Sequence, residues 1–492
     1  MEPRACTSWI IPLLAACAAE APAPGEAPAA APPPAPAPSL LAPGSRPDLL
    51  LLLVDGLRDG GGDLHRAAAA LESAAFLPDT QLRRYRSAYS ATIEPYVALG
   101  SLLSARYPSQ APLCGWPPDL RTTKPWCVSL PAESPTIGEV LRLYDYETAF
   151  VSVVEPLDPS VVRGFDVTVN PAAGGGEAAW TWASGAAIDW WGRHGDKPRL
   201  LVVQVPIDLA ATRALAATSY EGAFADAMDT YRAETLPLSD PERYRLVYGE
   251  RTILSMLGEL RSRYAAAATG AAHGFGPLLD AVHLTAPRPT LLAITSLHGQ
   301  SIGEYAGTPH PEQLQAVGTR LLLERTVHVP LTLVGAGAAA DVDAPVELID
   351  LGPTFFALAG ATPPAGLVGH DLLASTPDPN PTAYAEFGDM LLLREGPSVV
   401  TFRSERHGTS SIDPELTRAL AATPADRPNA FVLHNVVEDP LQAKEQGRAD
   451  PSARAKLRDV LTAVRSGPAA PPTALSVEDE AQLKDLRAKG YW

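Results

Sequence analysis

PDLLLLLVDG, residues 47–56, is a nearly continuous apolar run closed by an acid and a glycine. A strand with one wet face would show a polar residue at every second position. A run without alternation is therefore the pattern of a parallel strand buried on both faces. Asp55 then stands at the carboxyl end of that strand. Ligands of open α/β sheets bind along that edge, which makes Asp55 a candidate site residue; the other reading is an aspartate that caps the turn before Gly56.

Working outward, Thr136 followed by Ile137, Val140, Leu141 and Tyr144 predicts an N-capped amphipathic helix, and YETAFVSVV (146–154) the strand after it. Residues 176–193 repeat the helical pattern, RLLVVQV (199–205) gives a second buried strand, and residues 276–282 lead into TLLAITS (290–296). VHVPLTLVG (327–335) is a further strand, and VELIDLGPTFFALAG (346–360) is expected to be a helix broken near Pro353. Strand and helix alternate, which predicts an α/β fold: a three-layer sandwich around a mainly parallel sheet over residues 47–375. From about residue 380, AYAEFG (383–388), SVVTFRS (398–404) and AFVLHNV (430–436) alternate more tightly, as in an antiparallel sheet. A smaller C-terminal α+β subdomain is expected over 376–467, with a helix at 451–465 and a tail at 468–492. Residues 208–262 read as alanine-rich helix to which the sequence assigns no chemistry.

The 492 residues, 46% apolar and 19% charged, suffice for a large core. A net charge of -17 disfavours nucleic acid and anionic membrane surfaces by repulsion, leaving small molecules, glycans or proteins as partners. MEPRACTSWIIPLLAAC (1–17) combines Arg4, a short apolar run from Trp9 to Leu14, and Ala15-Ala16 before Cys17. It reads as an export signal, since the run is too short to span a bilayer. The prolines and alanines of residues 18–46 favour extended polyproline conformation, suited to a semi-rigid tether. Leu14-Ala15-Ala16-Cys17 resembles the lipobox of bacterial lipoproteins, which implies lipidation at Cys17 and a lipid-anchored place in the cell envelope, periplasmic or surface-exposed; the other reading is a plain secretory signal. With Cys6 removed and Cys17 occupied, Cys114 and Cys127 are the thiols left, and in an oxidising compartment they are expected to pair as a disulfide.

The ordered set of segments over residues 47–492 resembles the sulfatase family of the alkaline phosphatase-like superfamily. PDLLLLLVDGLRD (47–59) is similar to its opening metal-site strand, LLSARYPS (102–109) to the segment beyond the nucleophile, and SPTIGEVLRLYDYETAFVS (134–152) with Arg163-Gly164-Phe165-Asp166 to the helix, strand and short turn that follow. TSLHGQSIGEYAG (295–307) resembles the second metal-site segment, LLLERTVHVPLTLVGAG (321–337) the strand after it, and Asp350-Leu351-Gly352-Pro353-Thr354 the late helix; VVEDPLQ (436–442) and LKDLRAKGYW (483–492) are similar to the usual ends.

The resemblance implies hydrolysis of sulfate or phosphate esters by a nucleophile beside a divalent cation, Ca or Mg, held mainly by carboxylates. Carried over residue by residue, Asp55 is the first metal ligand, and Gly56 replaces the acid that often follows it, with Asp59 and Asp63 the nearest substitutes. The nucleophile position falls on Pro95, which has no nucleophilic atom and suits the first turn of a helix. The accompanying arginine falls on Leu99, a metal-binding carboxylate on Leu297, and two histidines on Gln204 and Val317. His298 is either a weak ligand or a hydrogen-bonded structural residue. Ser90 and Thr92 are nearby hydroxyls, and Asp59, Asp63, Glu94 and Glu304 are acids that would serve to rebuild an oxygen-rich site. The replacements point to a pseudoenzyme: a non-catalytic or weakened homologue kept as a binding or assembly component for a small anionic ester, glycan or protein, with or without a cation. The alternative is an active metal-dependent sulfuric ester hydrolase with a rearranged nucleophile.

Overall fold

The computed structural model describes residues 41–58, 82–207, 264–299, 322–403 and 431–442, with short gaps inside these spans, together with residues 455, 459 and 474–475. Cys17, Asp59, Asp63, Glu304, Val317, residues 208–262 and all but two residues of the expected helix at 451–465 lie outside the described residues.

The apolar run forms β1 (Asp48–Asp55), buried at every position. Leucine at five successive positions is tolerated because parallel neighbours on both sides, β7 (Arg199–Pro206) and β8 (Thr290–Thr295), leave both faces to be covered by helices. With β2 (Leu82–Tyr89), β5 (Glu147–Ser152), β6 (Asp166–Val169), β9 (His328–Val334), β10 (Ala340–Val342) and β11 (Val346–Glu347), these strands make a nine-stranded sheet of order β10-β2-β9-β8-β1-β7-β5-β6, β11 pairing with β2. β9 runs antiparallel to both its neighbours, and the remaining pairings are parallel. The expected mainly parallel sheet is therefore present.

Two apolar clusters cover the two faces. Alternate residues of β1 face opposite ways, so Leu49, Leu51 and Leu53 pack in one cluster and Leu50, Leu52 and Val54 in the other. The first contains α1 (Pro95–Ser104), α2 (Ile137–Leu143) and α5 (Leu351–Ala359); the second contains α3 (Glu177–Arg193) and the helix of residues 270–282, α4. Leu41 is buried in the first, and Gly44 N and Arg46 N donate to Ala357 O and Leu358 O at 2.9 Å, so the chain joins the core before β1 begins.

α2 starts as its sequence predicts. Glu139 N donates to Thr136 Oγ1 at 3.1 Å and Thr136 N to Glu139 Oε2 at 2.9 Å, a complete capping box. The expected break at Pro353 does not occur. Pro353 is the third residue of α5, in the first turn, where a missing N–H costs no helical bond; what interrupts the segment is the tighter helical turn Leu348–Asp350.

Arg163-Gly164-Phe165 fastens α2 to the sheet. Arg163 donates to Glu139 Oε1 (3.1 Å), Leu130 O (2.6 Å), Pro131 O (3.1 Å) and Ser134 O (3.1 Å). Gly164 has φ +80°, and a Cβ there would lie 2.3 Å from Glu139 N, so both conformation and space require glycine.

Near the C-terminus, β12 (Thr382–Phe387), β13 (Met390–Glu395), β14 (Ser398–Arg403) and β15 (Phe431–Asn435) form a separate antiparallel sheet in sequence order, as the alternation predicted. A third, small sheet joins β3 (Cys114–Gly115), β4 (Trp126–Val128) and β16 (Ala474–Leu475), so part of the expected tail is a strand. The described residues belong to one compact unit.

Candidate functional site at the carboxyl edge of the sheet

β1 carries a buried aspartate at each end. Asp48, at the amino end, is paired with a cation: Arg199 donates from its backbone N at 2.9 Å and from Nη2 at 2.6 Å, and its guanidinium lies 3.6 Å from the centre of the Trp191 ring. Asp55, at the carboxyl end, has neutral partners instead. Gln204 Nε2 donates to its Oδ2 at 2.7 Å and Leu297 N to its Oδ1 at 3.2 Å. Gln204 reaches it from β7, where it stands beside Leu53; Leu297 reaches it from the turn after β8. Ser152, on β5, donates in turn to Gln204 Oε1 at 3.4 Å. Burial pushes the Asp55 carboxyl up to about 7, and the two hydrogen bonds only partly offset that.

The loop after Asp55 is tied down. Gly56 has φ +85°, a conformation the acid expected there would adopt only under strain. Tyr264 donates its hydroxyl to Gly56 O (2.9 Å) and accepts from Arg58 N (2.8 Å). Nothing in the local sequence pointed to Tyr264, which lies more than 200 residues away.

The nucleophile position is equally altered. Pro95 is the first residue of α1, as expected, and Leu99 is buried in the same apolar cluster as Leu297, Leu102 and Leu103. Two positions that carry charge in the family pattern are thus part of one hydrophobic core. Ser90 donates its hydroxyl to Thr92 O at 2.8 Å, a carbonyl that cannot take up the proton, and Thr92 Oγ1 accepts from Glu94 N at 3.5 Å. A serine nucleophile needs a base at that end of its O–H. Glu94 is buried, its Oε1 has no hydrogen-bond partner among the described residues, and burial raises its carboxyl well above the usual range. His298 is turned to the backbone: Nδ1 lies 2.8 Å from Gly299 O, and burial lowers the imidazole below its usual value, leaving it neutral.

A cation of the Ca or Mg type needs about six or more oxygen donors converging on one point. Among the described residues no group of three or more His, Cys, Asp or Glu side chains could hold one. Asp55 offers a carboxylate already engaged at both oxygens, beside an amide and an apolar leucine. These residues do not fit the metal that the resemblance implied; Asp59, Asp63 and Glu304 lie outside the described residues. What the edge provides around Asp55 is a pair of neutral hydrogen-bond donors, Gln204 Nε2 and Leu297 N.

The sequence reading missed a second polar network, between the main core and the C-terminal sheet. Tyr107 donates to Glu347 Oε2 at 2.6 Å, Tyr384 N to Glu347 Oε1 at 2.7 Å, and Tyr384 Oη to Glu386 Oε2 at 2.7 Å; Ser109 N donates to Glu386 Oε1. The rings of Tyr107 and Tyr384 meet edge to face with centres 4.9 Å apart. Burial, with the nearby Asp350 charge, pushes Glu347 up to about 8.

No family model matches the sequence, and no curated protein matches it. Solved structures do. The chain is similar to a 2-O GAG sulfatase, at 14% identity and a TM-score of 0.56, covering 89% of this chain and 99% of that one. It is similar to a protein solved with its substrate D-glucosamine-2-N,6-O-disulfate, at 13% identity and a TM-score of 0.55 (85% and 97%). It is also similar to the phosphonate monoester hydrolase of Agrobacterium radiobacter, at 15% identity and a TM-score of 0.56 (85% and 95%). The chain has the fold of the sulfatases, the alkaline phosphatase-like α/β sandwich with an antiparallel sheet near the C-terminus.

Proposed function

We propose that this chain is a sulfatase-fold protein that does not turn over sulfate or phosphate esters, and that it works as a binding or assembly component of the cell envelope. The observation that carries this reading is the engagement of Asp55: both carboxylate oxygens accept hydrogen bonds from Gln204 and Leu297, and the side chain at the second ligand position is a buried leucine. Pro95 in place of a nucleophile and Ser90 bonded to a carbonyl support it from a second part of the mechanism. The two defects are independent, so neither alone would need to be complete.

The ligand that suits a retained sulfatase fold is an anionic glycan or ester, the class named for the 2-O GAG sulfatase it resembles; a protein partner suits an assembly role equally. The anchor is lipidated Cys17. No helix among the described residues is long and apolar enough to cross a membrane.

The test is an assay of native protein with aryl sulfate and aryl phosphate esters, with and without added Ca or Mg, beside Leu297→Asp, Pro95→Ser and the double variant. The reading expects no metal-dependent turnover in the wild type or either single variant. Wild-type turnover on the order of 1 to 1,000 per second would establish an active hydrolase instead. Mass spectrometry of the native N-terminus checks the anchor: an unmodified mature chain starting elsewhere removes it.

A further inference from the structure

β3 and β4 pair antiparallel with Cys114 directly opposite Cys127 and Gly115 opposite Trp126. Directly opposed residues of an antiparallel pair share one face and have Cα atoms about 4.5–5.5 Å apart, inside the roughly 4.4–6.8 Å range that a disulfide spans. The other edge of β4 is occupied as well: Leu475 is opposite Cys127 and Ala474 opposite Val128. Cys127 is therefore the position at which the C-terminal strand and the partner cysteine meet on opposite edges of one strand.

Among the described residues the ladders are short: β3 and β16 hold two residues each, and β4 three. Ordinary strands run to about five or six residues, and an isolated hairpin is marginal even at that length. A covalent tie across the pair would remove most of the loop-closure entropy that opposes it. We infer that Cys114 and Cys127 are joined by a disulfide, and that this bond fixes β4 as the platform on which the C-terminal strand β16 docks.

With glutathione disulfide as oxidant, one cysteine thiolate attacks a glutathione sulfur and expels the first glutathione as thiolate. The second cysteine thiolate then attacks the protein sulfur of the mixed disulfide and expels the second. The protein gives up two electrons and two protons, and one glutathione disulfide becomes two glutathione thiols. The inference does not depend on whether the sheet edge binds or hydrolyses anything.

The test uses the full-length protein, one sample equilibrated with glutathione disulfide and one reduced, both alkylated before digestion. The oxidised sample should yield one peptide pair linked through Cys114 and Cys127, and the reduced sample separate peptides with each of these two cysteines alkylated. Amide hydrogen exchange in peptides covering residues 126–128 and 474–475 should be slower in the oxidised protein, on the order of tenfold or more. Cys127→Ser, treated with oxidant, should exchange like the reduced wild type. Cys114 and Cys127 both found alkylated after oxidation would overturn the inference. So would a formed link that leaves exchange at 474–475 unchanged, since docking of β16 would then owe nothing to it.

Discussion

Gln204 Nε2 lies 2.7 Å from Asp55 Oδ2, so a neutral amide engages this carboxylate from the position at which the family pattern has a histidine. Asp48, seven residues earlier on the same strand, has Arg199 as its partner. One strand thus shows two ways to bury an aspartate: with a counter-charge at the amino end, and at the carboxyl end with neutral donors and a carboxyl that holds its proton to higher pH.

The first prediction follows from that proton. Asp55 is raised by burial to about 7 in the folded chain, against an ordinary value of 3.8. Below about 4 both states hold the proton and Asp55 adds no pH dependence. As pH rises from there through 7, the unfolded chain ionises first, so stability falls, by at most about 4 kcal/mol. Asp55→Asn should abolish this loss, because Gln204 can turn its amide to accept from the new donor. Urea unfolding of both proteins between pH 4 and 8 measures it, and parallel curves would refute the neutral carboxyl.

Glu347 contributes a fall of the same sign between about 4.5 and 8, since its folded value is also raised. Glu347→Gln should flatten that part of the profile. Tyr107→Phe, by contrast, strips a donor from a buried carboxyl and should destabilise by about 1–3 kcal/mol. The same urea experiments at pH 6 separate the two variants.

Arg163→Lys should cost about 2 kcal/mol, because one ammonium cannot reach the four acceptors that the guanidinium spans. Gly164→Ala should cost more, since it adds both a positive-φ penalty and a clash with Glu139 N. Equal, small losses in thermal unfolding would show that the clamp is incidental.

Much of this architecture was legible. The leucine run gave β1 and its burial because a doubly covered strand needs no alternation, and Thr136 with Glu139 announced α2 because a capping box is local in sequence. Pro95 at the first position of a helix could be read for the same reason. The bonds that define the edge could not. Gln204 and Leu297 meet Asp55 from 149 and 242 residues away, and Tyr107 meets Glu347 from 240 residues away. A glutamine in an apolar strand and a tyrosine near a helix end carry no periodic signal, so only strand order brings them together. The misplaced break at Pro353 has another cause: proline ends a helix only where its N–H would have been used, and its distance from the helix start cannot be read until the start is known.

The central claim is that Asp55 is closed to a metal ion. Calorimetric titration of the full-length protein with Ca and with Mg at pH 7.5, beside Asp55→Asn, tests it most directly. The account predicts no saturable binding that differs between the two proteins. One equivalent of cation bound by the wild type and lost in Asp55→Asn would contradict it.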